Sequence, residues 1–330
     1  MKNKRFFLAL LAGMILAPGA ILWAGEEAAP GTETASAGGV VSKRELTLSL
    51  SSLPEARLAF NQNFTFPFLQ GEHFLTRDNN IRTRLGAELT PVSLNGLADA
   101  YWTPAAFFQI RAGTRLGSGW NISLFGAPVY GIGINRPENA AGPLLTAERT
   151  GDPFDGLYWK LHGGGTLQFD FAALFPGDWH HVVFQSYHEI NYRGYTAAGP
   201  GEAWVFENDD AENLNGFNYY GNFLLGYQMP IFLNTTGILV EMDKYLYDTP
   251  NRNLWGDEKV RWIFSGLFNF TITKRFSAAL LVQFRTRRNY EDGDRKNTAH
   301  YFYQSRRLDG ENPLRLEFYR VAAAMTFVLK

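Results

Sequence analysis

The stretch LQFDFAALFPGDWHHVVFQSYHEINYRGY, Leu167 to Tyr195, decides the fold. In it and just before it, apolar residues and glycines alternate with polar residues, which is the period of a β-strand with two different faces. The apolar parity holds Trp159, Leu161, Gly163, Gly165, Leu167, Phe169 and Phe171, and the polar parity holds Lys160, His162, Thr166, Gln168 and Asp170. Asp170, between two phenylalanines, therefore needs a face that is wet or that offers it a cation.

The same alternation recurs along the chain and predicts an all-β fold. We expect twelve strands, because single-chain bacterial barrels have an even number. Their predicted bounds are 45–52, 56–68, 80–90, 93–102, 106–117, 157–174, 181–195, 216–229, 236–247, 260–272, 277–290 and 314–329. Trp120 to Ile134 and Tyr301 to Arg306 could add two strands, so fourteen is the alternative. The last strand places Tyr319, Val321, Ala323, Met325, Phe327 and Leu329 on one face.

Three features favour a membrane barrel over a soluble β-sandwich, which would also alternate. Trp159 to Phe175 is a run of 17 residues, whereas ordinary globular strands have about 5–6. Connections near 176–178 and 274–275 are tight, whereas 196–214, 248–259 and 291–300 are long and polar. Aromatic residues suited to a membrane interface gather at the tight ends: Trp102, Phe107, Phe175, Trp179 and Phe276. We therefore predict a closed antiparallel transmembrane barrel with short periplasmic turns, longer extracellular loops and Asp170 facing the lumen.

The N-terminus indicates export. Residues 1–24 combine basic residues, an apolar run and small residues at Ala24-Gly25, the pattern of a signal peptide. A membrane anchor is the alternative, but Pro18 and Gly19 interrupt the apolar run. Residues 25–43 are predicted to be a flexible periplasmic leader, and residues 44–330 a single barrel domain. The chain has no cysteine, which excludes lipoprotein attachment and disulfides.

Composition narrows the partners and the compartment. The chain has 31 Lys and Arg against 32 Asp and Glu, with the two signs interspersed, which argues against nucleic-acid binding. We expect the protein in the outer membrane of a Gram-negative-type (diderm) bacterium. Its expected partners are outer-membrane lipid, the barrel-assembly machinery and small anionic solutes. No metal or cofactor motif is present in the sequence, and we predict neither.

One segment resembles a known family. The run GAELTPVSLNGLADAYWTPAAFFQIRAGTRLGSGW, Gly86 to Trp120, is similar to a segment of uncharacterised outer-membrane barrels of spirochaetes and covers about a tenth of the chain. The resemblance implies a barrel, and the family brings no established activity with it. One departure is that outer-membrane barrels usually end on an aromatic residue read by the assembly machinery, whereas here Phe327 is followed by Val328, Leu329 and Lys330.

The first functional hypothesis is a porin-like channel or substrate-selective pore with a basic lumen. Rings of charged side chains select permeant ions and solutes, and an arginine-rich lumen would favour anions. The pore-lining candidates on the predicted lumen parity are Arg82, Arg84, Glu88, Arg111, Arg115, Asp170, Glu189, Arg193, Glu241, Asp243, Arg261, Arg285 and Arg287. The alternative is that these arginines pair with the carboxylates and fill a closed lumen as an ionic core.

The second hypothesis is a closed barrel that anchors surface loops, as an adhesin or structural protein. The loop Thr196 to Leu214 carries its acids around two aromatic residues: Glu202, Glu207, Asp209, Asp210 and Glu212, with Trp204 and Phe206. It lacks the fixed glycine and terminal glutamate of a calcium-binding loop. We therefore expect this loop to be acidic and solvated.

The third hypothesis, an outer-membrane phospholipase or protease, has the least support in the sequence. His180 and His181 lie at a tight turn, and His188 falls on the lipid-facing parity beside Glu189. We identify no Ser–His or Asp–His spacing that would bring a nucleophile, a base and an orienting group within reach. The prediction is therefore that the protein is not an enzyme and has no catalytic residues.

Overall fold

The computed structural model describes residues 39–329, apart from 54, 74, 125, 138–146, 151, 201, 208, 210–211, 247–255, 257–258 and 291–307. The predicted signal peptide, most of the predicted leader, Asp210 and the possible strand Tyr301 to Arg306 lie outside these residues. No helix in the described part of the chain is long and apolar enough to cross a membrane.

The described residues form seventeen strands. In chain order they are β1 (Val41–Ser51), β2 (Ala56–Pro67), β3 (Asn80–Leu89), β4 (Ser93–Ala105), β5 (Phe108–Gly119), β6 (Ile122–Leu124), β7 (Ala127–Val129), β8 (Ile132–Pro137), β9 (Ala147–Thr150), β10 (Tyr158–Asp170), β11 (His181–Tyr195), β12 (Trp204–Phe206), β13 (Gly216–Gln228), β14 (Leu233–Tyr245), β15 (Arg261–Thr273), β16 (Phe276–Arg288) and β17 (Leu314–Leu329).

The twelve long strands close into one antiparallel barrel in the order β1-β17-β16-β15-β14-β13-β11-β10-β5-β4-β3-β2. Pairing of β1 with β17 closes it, with Leu46 opposite Phe327. This confirms the predicted twelve-stranded barrel, and β11 and β17 have the predicted bounds. Closure leaves no strand edge unpaired, which hydrocarbon requires.

The two ends of the barrel differ in the length of their connections. One end holds the start of β1, the end of β17 and the connections 68–79, 106–107, 171–180, 229–232 and 274–275. The other end holds 52–55, 90–92, 120–157, 196–215, 246–260 and 289–313. Because outer-membrane barrels have short periplasmic turns and longer extracellular loops, the second end is extracellular.

The outer wall is apolar and the inner wall largely polar. On β10, the exposed Leu161, Leu167 and Phe169 alternate with the buried Lys160 and Gln168. Such alternation is the pattern of a barrel whose outer face meets lipid. The fold is therefore that of a membrane-spanning barrel of the outer-membrane type.

Asp170 faces the lumen and ends its strand. Its exposed fraction is 7%, against 37% for Phe169 and 45% for Phe171. One carboxylate oxygen accepts a hydrogen bond from the Ala172 amide at 3.0 Å, and the other lies 2.7 Å from His181 Nδ1. A 3-10 turn over Phe171–Ala173 follows, so the strand stops short of the predicted residue 174.

One β-bulge corrects the predicted facing of β17. The pairing of β16 with β17 shifts after Gln283, so that Phe284 lies opposite Phe318. Phe318 is exposed on the outer wall, and the neighbouring Tyr319 ring instead contacts two lumen guanidinium groups, those of Arg285 and Arg320. The prediction that Tyr319 shares a face with Val321 and Phe327 is wrong, because the extra residue resets the alternation.

The five short strands lie outside the barrel sheet. A three-stranded sheet has the order β12-β8-β9, and β6 pairs with β7 as a small hairpin. The stretch Trp120 to Ile134 therefore adds no strand to the barrel, contrary to the fourteen-strand alternative. We call the β8-β9-β12 sheet and residues 196–215 the cap.

Candidate functional site: the lumen and its cap

The cap is folded against the inside of the extracellular mouth. Trp204 and Val205 in β12 are fully buried, with no exposed fraction. The Phe206 ring stacks on Tyr158 with centroids 4.3 Å apart, and Trp204 lies 6.1 Å from Tyr195. Tyr158 begins β10 and Tyr195 ends β11, so the apolar side of the cap rests on the strand ends.

Glu207 fixes one side of the cap to the barrel wall. Its carboxylate accepts hydrogen bonds from Arg57 at 2.6 Å, from Ser93 and Asn95 at 2.8 Å each, and from Arg115 at 3.2 Å. Burial alone would raise the pKa of Glu207, but the two arginines and the two hydrogen bonds hold that pKa below its usual value. The mouth thus contains a four-residue anion-binding pocket, which the chain fills with its own carboxylate.

Glu212 fixes the opposite side of the cap. Its carboxylate lies 3.2 Å from Arg288 at the end of β16 and accepts a hydrogen bond from the Tyr290 hydroxyl at 3.1 Å. The Tyr245 hydroxyl at the end of β14 donates to the Glu212 carbonyl. Since Glu207 and Glu212 are buried, the expectation of a solvated acidic loop is wrong: Trp204 and Phe206 turn the loop inward.

Below the cap, Asp99 on β4 lies between basic side chains of three strands. Its carboxylate is 2.6 Å from Arg84 on β3, 2.9 Å from Arg111 on β5 and 2.8 Å from His162 on β10. All four side chains are at most 6% exposed. Arg84 and Arg111 therefore form a closed ionic cluster with Asp99 rather than a cationic wall.

The remaining predicted lumen charges are also in contact with partners. Lys160 forms a salt bridge with Glu189, with 2.6 Å between the charged atoms. Asp243 forms salt bridges with Arg193, at 3.0 Å, and with Arg261. Further contacts are Arg115 with Glu88 at 2.6 Å, Tyr220 with Glu241 at 2.9 Å, Arg285 and Arg287 with Glu317 at 3.1 and 3.9 Å, and Arg82 over the Tyr101 ring at 4.1 Å. The arrangement matches the ionic-core alternative more closely than an open basic lumen.

An apolar cluster fills the lumen on another part of the wall. It joins side chains of seven strands: Tyr101, Tyr187, Tyr220, Leu224, Leu239, Leu267, Ala279, Leu281, Ala322 and Ala324. Leu267 and Tyr187 have no exposed fraction, so both side chains are packed away from solvent. Side chains therefore occupy the lumen below the cap as well as at the cap.

The interface aromatics lie at the periplasmic end as predicted from the turns. Trp102, Phe107, Phe175 and Trp179 are exposed, and Phe276 stacks on Phe327 with ring centroids 4.5 Å apart. His180 lies in the turn 3.1 Å from the Phe175 carbonyl, and His181 pairs with Asp170. These two histidines have structural partners at the turn.

Sequence reasoning missed several residues that form the lumen. Asp99, Arg57 and Arg320 share the lumen parity of their strands, so strict alternation could have identified them. The role of Glu207 had no comparable signal, because no periodicity relates a loop residue to a barrel wall more than a hundred residues away.

Comparisons with known proteins give similarity at the level of solved structures only. No protein-family model and no curated protein matches the chain. The chain is similar to the KdgM porin (10% identity, 87% of this chain and 99% of that chain, TM-score 0.34). It is also similar to the NanC porin (5% identity, 88% and 100%, TM-score 0.37) and to OmpT of Vibrio cholerae, an outer membrane protein (6%, 90% and 99%, TM-score 0.33). At these identities and TM-scores the likenesses identify neither a family nor a solute for this chain.

Proposed function

We propose that the protein is a porin-like channel for small anionic solutes in the outer membrane of a diderm bacterium, held shut by its cap. The anion-binding pocket at the extracellular mouth carries this proposal. Arg57, Arg115, Ser93 and Asn95 supply charge-assisted hydrogen bonds to one carboxylate, and such donors bind carboxylates strongly. A solute carboxylate that replaces Glu207 would release that side of the cap.

The backbone of the cap supports a closed state that can be displaced. Glu207 has φ = 52°, a left-handed conformation that costs a non-glycine residue about 1–2 kcal/mol. The pocket therefore holds Glu207 against a local conformational preference. A competing anion at the pocket would lose none of its binding energy to this strain.

A second candidate function is a permanently closed barrel that presents its extracellular loops. The apolar cluster favours this candidate, because Leu267 and its neighbours pack across the lumen below the cap. Conduction requires this cluster to separate after the cap has moved, whereas a platform for loops needs no such movement.

Single-channel recording in planar bilayers tests the two candidates. For the channel, the folded wild-type protein is mostly closed, and Glu207→Gln opens more often with a reversal potential biased toward anions. Glu311→Gln, an exposed acid of another extracellular connection, is the matched control and should behave as wild type. Silence of wild type and Glu207→Gln, with both shown to be folded by heat-modified gel mobility, would overturn the channel and leave the loop platform.

A further inference from the structure

The cap places an aromatic ring beside the carboxylate that fills the anion-binding pocket. The Phe206 ring, one residue before Glu207, stacks on Tyr158 with the two ring planes 20° apart. The Arg115 guanidinium contacts both cap residues: its Nη2 lies 3.2 Å from Glu207 Oε1, and its Cζ lies 5.5 Å from the Phe206 ring centroid. One arginine of the wall therefore contacts a carboxylate and an aromatic ring at the same time.

The residues of the wall that receive these two groups lie at the extracellular rim. Arg57 is the second residue of β2, Glu88 is the second-last residue of β3, and Tyr158 is the first residue of β10. Connections 52–55 and 90–92, the two shortest at this end of the barrel, adjoin Arg57 and Glu88. We call the pocket together with Glu88 and Tyr158 the mouth site. Because Phe206 and Glu207 belong to the cap, movement of the cap opens the mouth site toward the extracellular side.

Glu88 sets the charge of the mouth site. It is 2% exposed, and its carboxylate lies 2.6 Å from Arg115 and 3.7 Å from Arg57. The two arginines thus face two carboxylates while Glu207 is bound, and they face one when Glu207 leaves. Arg84, four residues deeper on the strand of Glu88, is already bound in the ionic cluster below the cap. The mouth site therefore matches a solute with one negative charge, since a second charge would be buried without a partner.

Tyr158 and Arg115 supply the surface for a ring. Tyr158 is 5% exposed beneath the cap, and Arg115 Cζ lies 5.9 Å from its ring centroid. Stacked rings and a guanidinium over a ring face both add to the free energy gained by burying aromatic area. A solute with a carboxylate alone would leave the Tyr158 ring face in water after Phe206 has moved away.

We propose that the solute recognised at the mouth site is a monocarboxylate that carries an aromatic ring. Its carboxylate takes the position of Glu207 between Arg57 and Arg115, and its ring takes the position of Phe206 on Tyr158. This solute class rests on the proposed function, because the solute has to displace the cap. Within that function, Glu88 selects the charge of the solute and Tyr158 selects its ring.

Equilibrium dialysis of the folded full chain in detergent micelles tests this solute class with four probes. Phenylacetate has the ring and one charge, acetate lacks the ring, benzyl alcohol lacks the charge, and phenyl phosphate at pH 8 carries about two charges. The double variant Phe206→Ala/Glu207→Ala removes the ring and the carboxylate with which the chain fills the site. We expect it to bind phenylacetate at least about tenfold more tightly than each of the other probes, because each of those leaves a charge or a ring face unmatched.

The matched controls keep the mouth site filled. Wild type and Glu311→Ala, which changes an exposed acid of another extracellular connection, should bind every probe at least about tenfold more weakly than the double variant binds phenylacetate. Their binding also corrects for partition of the probes into the micelles. Heat-modified gel mobility shows which variants are folded.

Two additions to the double variant separate the two kinds of selectivity. Glu88→Gln leaves both arginines without a carboxylate, so it should raise the affinity for phenyl phosphate relative to phenylacetate by about tenfold. Tyr158→Leu should abolish the preference for phenylacetate over acetate and leave the affinity for acetate unchanged. If the Glu88→Gln protein does not fold, the order of the four probes on the double variant still decides the charge of the solute.

Equal affinity of the folded double variant for phenylacetate and acetate would overturn the proposal, as would binding no stronger than that of wild type. An unchanged preference against phenyl phosphate in folded Glu88→Gln protein would overturn the role of Glu88. Since dialysis does not depend on conduction, the two failures are distinguishable. Phenylacetate binding by a silent protein would keep the mouth site and remove the channel, whereas an anion-selective channel without phenylacetate binding would remove the solute class alone.

Discussion

Two parts of the lumen wall achieve burial by different means. The ionic wall, on β3, β4, β5 and β10, packs Arg84, Asp99, Arg111 and His162 into one charged cluster. The apolar wall, on β13 to β16, packs Leu224, Leu239, Leu267 and Leu281. Both walls follow the same two-residue alternation in the sequence. The parity of a residue therefore decides whether it faces the lumen or the lipid. Its neighbours on adjacent strands decide whether it is buried by ion pairing or by apolar packing.

The largest effect is expected on the ionic wall. Asp99→Asn keeps the shape of the side chain but removes the charge between Arg84 and Arg111, and breaking a buried pair in this way costs about 3–5 kcal/mol. Urea unfolding in lipid vesicles, followed by gel mobility, measures the loss. A loss below about 1 kcal/mol, the value of exposed pairs, would show that water reaches this wall and would remove the contrast between the two walls.

On the apolar wall, Leu267→Ala should destabilise by cavity formation, in the range of about 2–5 kcal/mol. Leu267 has no exposed fraction, so little rearrangement is available to fill the space. The same urea titration measures this loss. Ala278→Gly on the outer wall is the control for the effect of removing side-chain atoms from a strand without making a cavity in the lumen. If water reached Leu267, it would fill the space, and the loss of unfolding free energy would fall to the transfer free energy of the removed methylene and methyl groups alone.

A small effect is expected where the lumen opens toward the extracellular end. The Arg287 side chain is 43% exposed and lies 3.9 Å from Glu317, which Arg285 and Arg315 also contact. Exposed pairs contribute about 0–1 kcal/mol, so Arg287→Gln should change the unfolding midpoint little. A loss as large as that of Asp99→Asn would show that the ionic character of the wall extends to its rim.

The smallest effect concerns pH and the cap. The pKa of Glu207 is lowered in the folded state. The contribution of Glu207 to the stability of the docked cap is therefore complete above its unfolded pKa, and it is lost only as pH falls through the lower folded pKa. Between pH 7 and pH 5 the contribution of Glu207 should therefore stay constant. Open probability recorded at both pH values for wild type and Glu207→Gln checks this, and an increase at pH 5 that wild type shows and Glu207→Gln lacks would contradict the binding described for Glu207.

The sequence was sufficient for the barrel and for most of the facing. Alternation identified all twelve barrel strands and placed Asp170 inside and Phe169 outside, because hydrocarbon imposes the same two-residue period on every strand. It failed at Tyr319, since a bulge shifts the period by one residue without any change in composition.

Partners across strands were harder to predict than faces. Arg84 and Arg111 were predicted to line the lumen, but Asp99, which lies on the strand between them and binds both, was not among the predicted residues. The binding of Glu207 depends on how a loop folds back into the mouth, which no local pattern encodes.

The two attachments of the cap also constrain the order in which the molecule can form. Glu207 binds residues of β2, β4 and β5, whereas Glu212 binds the last residues of β14 and β16. The two sets of strands become opposite sides of one mouth only after β1 has paired with β17. Docking of the cap is therefore a late event of biogenesis, and protection of Trp204 from solvent would report the moment at which the cylinder has closed.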